Sequence, residues 1–260
     1  MSSGNAAHEE WSLYYKNVDL ITFIKTDLER LYITGIPDEY FESKDRRDML
    51  LGILVIWSFH HPVISYRQGM HEMAAYVMYV IETELRFWSV LSTENAEGKV
   101  RSDPYALLNV LTEQNIEANT YHIFARIMNE LEPIYDPVAF TPRGAESQPF
   151  VVQFSTKVQE HYLRMLDSEL CEHLEECHVS AQIYGMRWSR LLLGREFTAA
   201  NSVLFKLWDF LFAYAPQYVC TPLLGALGDL MLAMMLNIRE QLLESDSSSV
   251  LGYLMHYPDM

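Results

Sequence analysis

Apolar positions recur at helical rather than alternating spacing along nearly the whole chain, as in Leu20, Ile21, Phe23, Ile24, Leu28 and Leu31. The stretch 49–57 is apolar on every side, which predicts a central helix, with Ser43 as its cap and Pro62 beyond its end. A second helix of that kind is predicted from about Gly69 to about Leu85, and others over about 104–114, 117–133, 150–178, 181–193, 198–213 and 219–244. No segment reads as a strand. Polar, breaker-rich stretches interrupt the pattern at 92–104, 133–149 and 244–249. The first two predict loops, and 133–149, with Pro137, Pro142 and Gly144, predicts a junction between two lobes. The expected fold class is all-α, with two packed helical lobes and no repeat of fixed period.

Composition narrows the function classes. The 260 residues carry 35 acidic and 19 basic side chains, for a formal net charge of −16. That balance repels phosphate backbones and offers no basic stripe, so nucleic acid is not an expected partner. Three cysteines, Cys171, Cys177 and Cys220, are too few for a disulfide framework and favour a reducing compartment. The N-terminal residues lack a basic segment followed by an apolar run, so no signal peptide is expected. The most membrane-like stretch, 219–238, contains Pro222, Gly225, Gly228 and Asp229, and reads as a buried core helix rather than a span. The expectation is a soluble, cytoplasmic protein without direct membrane insertion.

Several chemistries are missing from the sequence. There is no glycine-rich phosphate loop ending in Lys-Ser/Thr, no Gly-x-Gly-x-x-Gly opening a helix, and no His-Glu-x-x-His; His71-Glu72 lacks the second histidine. The densest metal-like group is Cys171, His173, Cys177 and His178, but on a helix His173 points away from the face that Cys171 and His178 can share. None of the usual zinc spacings is matched, so no metal site is expected. The adjacent His60 and His61 diverge from one another and read as helix-end residues.

Two segments stand out together. In Ile24-Lys25-Thr26-Asp27-Leu28-Glu29-Arg30, isoleucine, aspartate and arginine recur every three residues along one side of a helix, so Asp27 can hold Arg30 by an i, i+3 ion pair. Taken alone, such a pair is an ordinary surface salt bridge. In Tyr66-Arg67-Gln68-Gly69-Met70, a glutamine stands just before a glycine at the start of an apolar helix, where it projects from a loop whose backbone is held by packed neighbours. Taken alone, this is a helix N-terminus with Met70 in the core.

In this order, the two segments resemble the signature of the TBC-domain family of Rab GTPase-activating proteins, Ile-x-x-Asp-x-x-Arg followed by Tyr-x-Gln-Gly-Met. A third region is similar to the family: Arg187-Trp188-Ser189-Arg190-Leu191-Leu192-Leu193-Gly194-Arg195-Glu196-Phe197, followed by Leu207-Trp208-Asp209. It predicts Trp188, Leu192, Phe197 and Trp208 in the core, with Arg187 and Glu196 as buried or partly buried partners. Trp11-x-x-Tyr14-Tyr15 ahead of the arginine motif and the Gly-Arg-Glu-Phe run look most like the subgroup containing the endosomal, retromer-associated member. The chain departs from the pattern at Leu31, where a threonine is usual, and at His71, where many members have asparagine. The family's upstream Arg-x-x-x-Trp helix is not recognisable.

The resemblance implies a V-shaped, two-lobed helical domain over residues 8–260, with lobes at about 8–135 and 148–260. It implies a GTPase activator rather than an enzyme acting alone, working on a Rab-type small GTPase in membrane trafficking. Arg30 would be an arginine finger and Gln68 a glutamine finger, with Asp27, Tyr66 and Gly69 in support. GTP and Mg²⁺ would be bound by the partner GTPase, with no cofactor on this chain, and any place at endosomal or other endomembranes would come through partners. The alternative within the same fold is a catalytically silent module that recruits a Rab or a trafficking partner.

Overall fold

The structure is a computed structural model describing residues 3–94, 112–135, 148–197, 201–217 and 221–258, and among these residues there is no strand. Residues 95–104 of the loop predicted at 92–104, most of the helix predicted at 104–114, Cys220 and the segment 136–147 lie outside the described residues. The helices are α1 (Ser3–Glu29), α2 (Asp38–Glu42), α3 (Lys44–His60), α4 (Met70–Glu94), α5 (Ile116–Tyr135), α6 (Phe150–Thr156), α7 (Arg164–Leu166), α8 (Ser168–Glu176), α9 (Ala181–Arg190), α10 (Asn201–Tyr214), α11 (Pro222–Asn237), α12 (Arg239–Leu243) and α13 (Ser247–Met255). The chain divides into two compact units, Met1–Ile33 with Pro37–Ile127, and Thr34–Ile36 with Met128–Met260. That division falls inside α5.

In the first unit, α3 packs against α1, α2 and α4. Every residue from Met70 to Met78 is buried, so the start of α4 is a central helix, as its all-round apolar pattern predicts. Leu50, Ile53, Leu54 and Trp57 of α3 are buried, as are Ile24 and Leu28 of α1. Phe124 of α5 meets the Trp57 ring edge-on at a centroid distance of 5.8 Å. Away from the apolar centre, Arg46 of α3 grips Glu82 of α4 with its Nε and Nη2, at 3.0 and 2.8 Å, and lies 4.2 Å above the Tyr40 ring. Such a pair fixes the register of two helices as well as their distance.

One cap and two helix ends differ from expectation. Ser43 does stand at the N-cap of α3, but its side chain makes no capping bond; the helix instead opens with Asp45 in its first turn, favourable at the positive end of the dipole. Helix α4 runs to Glu94, beyond the predicted end near Leu85. Pro133 does not break α5, which continues to Tyr135. A proline removes one backbone bond, and here it sits only two residues before the helix ends anyway.

The second unit replaces the single helix expected over 150–178 with α6, a π-helical turn at Lys157–Leu163, α7 and α8. The break falls at Asp167, which leaves the helical region at φ −151° and caps α8 by accepting from the Leu170 N–H at 3.0 Å. The π-turn lets the buried Gln159 reach across: its Nε2 donates to the Val179 carbonyl at 3.1 Å, and its Oε1 accepts from the Tyr184 hydroxyl at 2.8 Å. A Cβ at Gly185 of α9 would overlap Ser155, so glycine is what permits α6 and α9 to approach so closely. The stretch expected to be one helix over 219–244 is interrupted at Ile238, and the serine run 247–249 forms the first turn of α13, capped by Asp246 accepting from the Ser249 N–H at 2.9 Å.

The third family-like region is structural, as expected. Trp188, Leu192, Phe197 and Trp208 are all buried. The Trp188 indole donates to the Leu254 carbonyl at 3.1 Å and the Trp208 indole to the Leu192 carbonyl at 2.8 Å, which satisfies both polar tips within the core. Leu192 and Leu193 adopt positive φ values of 45° and 65°, tightening the turn that follows α9. Arg187 and Glu196 pair across that turn at 2.6 Å.

Candidate functional site

The Ile24-Asp27-Arg30 stripe runs from the core to the surface. Ile24 is fully buried, Asp27 is only 4% exposed, and Arg30, in the turn that ends α1, has a side chain 70% exposed. Asp27 is therefore not a surface carboxylate. Arg30 Nη2 lies 3.4 Å from Asp27 Oδ1, and Arg30 Nε donates to the Thr26 carbonyl at 3.2 Å. A cation at a helix C-terminus is favoured by the dipole, and here the guanidinium covers the last turn while its far edge faces solvent.

The second segment comes to the same place from 39 residues away. The Tyr66 hydroxyl contacts Asp27 Oδ2 at 2.8 Å, and the Tyr66 ring meets Phe23 of α1 edge-on at 5.5 Å. Tyr66 thus seals Asp27 from above and holds the loop against α1. Ile64, Tyr66, Gly69 and Met70 are buried while Arg67 and Gln68 are exposed, so the loop is anchored on both sides of the two polar residues and presents them outward. Gly69 has φ 102°, a left-handed conformation that a side chain would strain, and it turns the chain directly into α4. Two further contacts tighten that turn: Met70 N–H to the Arg67 carbonyl at 3.1 Å, and Arg67 N–H to the Met70 sulfur at 3.3 Å.

The structure therefore brings Asp27, Arg30, Tyr66 and Gly69 into one construction in the first unit, with Gln68 exposed on the same turn as Tyr66 and Gly69. Two buried polar residues were not foreseen as part of it. His71 Nδ1 lies 2.6 Å from the Tyr66 hydroxyl and 3.9 Å from Asp27 Oδ2, while His71 Nε2 lies 4.0 Å from Glu72 Oε1. Both are under one-tenth exposed. The available signal was a His-Glu pair inside an apolar run, which is costly to bury without partners.

The metal-like group is not assembled. Cys171 is buried with its sulfur 3.4 Å from the Gln159 carbonyl, and burial pushes its thiol up. His173 instead points its Nε2 at the Ser245 carbonyl, 3.2 Å away, and at the Cys177 sulfur, 3.6 Å away. Among the described residues, no three His, Cys, Asp or Glu side chains are placed to hold a metal ion. Among those residues, too, no helix is long and apolar enough to cross a membrane.

Comparison with known proteins places the chain among relatives. The chain is 28% identical over 265 residues to TBC1 domain family member 5 of Homo sapiens, covering 95% of this chain and 31% of that protein. It is 25% identical over 348 residues to TBC1 domain family member 5 homolog B of Dictyostelium discoideum, covering 95% of this chain and 32% of that one. The chain thus spans about a third of the length of these relatives. Its fold matches the crystal structure of the Ypt/Rab-GAP domain of Gyp1p with a TM-score of 0.69 at 19% identity, over 94% of this chain and 68% of that one. The profile of the Rab-GTPase-TBC domain matches residues 3–98 and 101–243, which include the segments 24–30, 66–70 and 187–209. With motif order, helical fold and profile in agreement over most of its length, the chain belongs to the Rab-GTPase-TBC domain family.

Proposed function

We propose that this chain accelerates GTP hydrolysis on a Rab-type small GTPase by supplying Arg30 and Gln68 in trans. The observation that carries the reading is that the exposed Arg30 guanidinium is held by a buried carboxylate, Asp27, which is itself fixed by Tyr66 from the loop that presents Gln68. An exposed arginine gains little stability from one ion pair. A buried anchor beneath it makes sense as preorganisation.

Hydrolysis of GTP needs charge stabilised on the γ-phosphate oxygens and a water held in line, and the GTPase already contributes its phosphate loop and Mg²⁺. A planar, permanently charged guanidinium can approach phosphate oxygens through two N–H groups, which a lysine cannot. A glutamine amide offers a donor and an acceptor, so it can hold the water and a phosphate oxygen together. An arginine finger contributes about 10³ to 10⁵ in rate, or roughly 4 to 7 kcal/mol of barrier. Nucleotide and Mg²⁺ belong to the partner in this mechanism. The cavity beside Arg30 is lined also by Glu29, Asp38, Glu42 and Arg47, so acidic side chains outnumber basic ones there. Any association with endosomal or other endomembranes would follow from partners.

Single-turnover GTP hydrolysis across a panel of Rab proteins tests the reading. Acceleration of at least one Rab is expected. Rab binding without acceleration would identify the chain as a silent recruiting module instead.

A further inference from the structure

We infer that His71 is a positioning residue for Arg30: its Nδ1 carries a proton, donates it to the Tyr66 hydroxyl, and so commits the tyrosine proton to Asp27. The inference rests on the reading of Arg30 as a finger for its functional consequence, but not for the proton arrangement itself.

The arrangement follows from counting protons. Tyr66 has one hydroxyl proton, and its oxygen lies at hydrogen-bond distance from both Asp27 Oδ2, at 2.8 Å, and His71 Nδ1, at 2.6 Å. Asp27, facing the Arg30 guanidinium through its other oxygen at 3.4 Å, is a carboxylate and has no proton to give. The 2.8 Å contact must then be bridged by the tyrosine's own proton. What remains between His71 and Tyr66 is closed only if Nδ1 is protonated, because a bare nitrogen lone pair facing an oxygen lone pair at 2.6 Å is repulsive. The chain reads Nδ1–H to Tyr66, Tyr66 O–H to Asp27, and Asp27 to Arg30.

All three inner groups are buried, Asp27 and Tyr66 at 4% exposure and His71 at 6%, so water does not readily substitute for a missing donor. Among the described residues, the charged or titratable groups facing His71 include Asp27 from α1, Tyr66 from the loop and Glu72 from its own helix, with Arg30 beyond Asp27. With the opposite ring nitrogen protonated, Nδ1 would accept instead and draw the tyrosine proton away from Asp27. The carboxylate would then lose the bond that fixes its plane, and with it the direction of the guanidinium. An asparagine at this position can also donate, through its amide NH₂, whereas a leucine cannot.

Two measurements on the intact chain test this. The first is imidazole ¹⁵N NMR of the chain alone, with the His71 signals assigned by their loss in His71→Asn. A protonated Nδ1 is expected; a bare Nδ1 overturns the inference whatever the GTPase activity. The second follows the Arg30 Nε–Hε signal and the stimulated single-turnover rate together. His71→Leu should raise Arg30 side-chain mobility and lower the stimulated rate about five-fold without weakening Rab binding, and His71→Asn should retain most of both. In a Tyr66→Phe background, His71→Leu should have no further effect, because its route to Arg30 is gone. Additive effects there, or unchanged Arg30 mobility in a folded His71→Leu, would assign His71 a packing role only. If wild-type chain accelerates no Rab, the proposed function fails, while the NMR results still decide the arrangement.

Discussion

Arg187 and Glu196 meet at 2.6 Å across the turn after α9, with the glutamate side chain fully buried and the arginine 22% exposed. Burial pushes the Glu196 carboxyl above its usual range, against the pull of Arg187. Between the ordinary carboxylate pKa and the raised native value, the native chain therefore retains a proton there that the unfolded chain has already released. This site's contribution to stability falls as pH rises from the ordinary carboxylate pKa to the raised native value. Arg187→Ala leaves the buried charge without its partner and should cost about 3 to 5 kcal/mol at neutral pH. The loss should shrink toward acid, where Glu196 is protonated in both states, and Glu196→Gln should flatten this part of the profile. Urea unfolding of the three proteins at several pH values measures both effects; an Arg187→Ala loss independent of pH would contradict the assignment.

Arg30→Ala and Arg30→Lys should each remove most of the stimulation, on the order of 10³-fold, because the finger supplies charge in a planar geometry. Neither should alter unfolding by more than about 0.5 kcal/mol, since the side chain is mainly exposed. Full activity in Arg30→Lys would rule out a two-pronged approach to the phosphate.

Tyr66→Phe keeps the ring against Phe23 and removes only the hydroxyl that Asp27 and His71 share. It should destabilise the first unit by about 1 to 3 kcal/mol, the cost of leaving buried polar groups under-satisfied. Stimulation should fall, but less than for Arg30→Ala, because the guanidinium remains. Asp27→Ala should likewise lose part of the stimulation. Strong destabilisation by Asp27→Ala with normal stimulation would make the aspartate purely structural.

How far the sequence revealed this site depends on how local each relationship is. Ile24, Asp27 and Arg30 were legible because a spacing of three places them on one helical face, and the Tyr66–Met70 loop because glutamine, glycine and an apolar helix start fall in sequence there. The burial of Asp27 was not legible, since an i, i+3 pair has the same pattern on a surface; it depends on Tyr66, 39 residues away. In the sequence His71 is only a departure from a common asparagine, and the role inferred for it depends on proton directions that only the three-dimensional arrangement fixes. Elsewhere the errors were of helix continuity. The five-residue α2 is too short to leave a period, the interruption at Asp167 follows a π-turn that hydrophobic spacing does not encode, and Asp246 turns a serine run into a capped helix start.

Whether Gln68 orients the attacking water, or leaves that task to the GTPase's own glutamine, can be decided because the two mechanisms respond oppositely to the same pair of substitutions. Gln68 is exposed on a turn whose backbone is fixed by Tyr66, Gly69 and Met70, so the fold has no evident need of an amide at that position. Gln68→Ala should accordingly leave stability within about 0.5 kcal/mol of wild type, which removes misfolding as an explanation for lost activity. If Gln68 holds the water, Gln68→Ala abolishes most of the stimulation, whereas a GTPase whose own glutamine is replaced by leucine is still stimulated substantially. If Arg30 is the sole finger, the leucine GTPase is refractory and Gln68→Ala stimulates wild-type GTPase at a near-normal rate. Single-turnover hydrolysis with each substitution separately and both together separates the cases, and the combination should be inactive under either mechanism. A refractory leucine GTPase alongside an active Gln68→Ala would remove Gln68 from the catalytic residues and leave Arg30 in place.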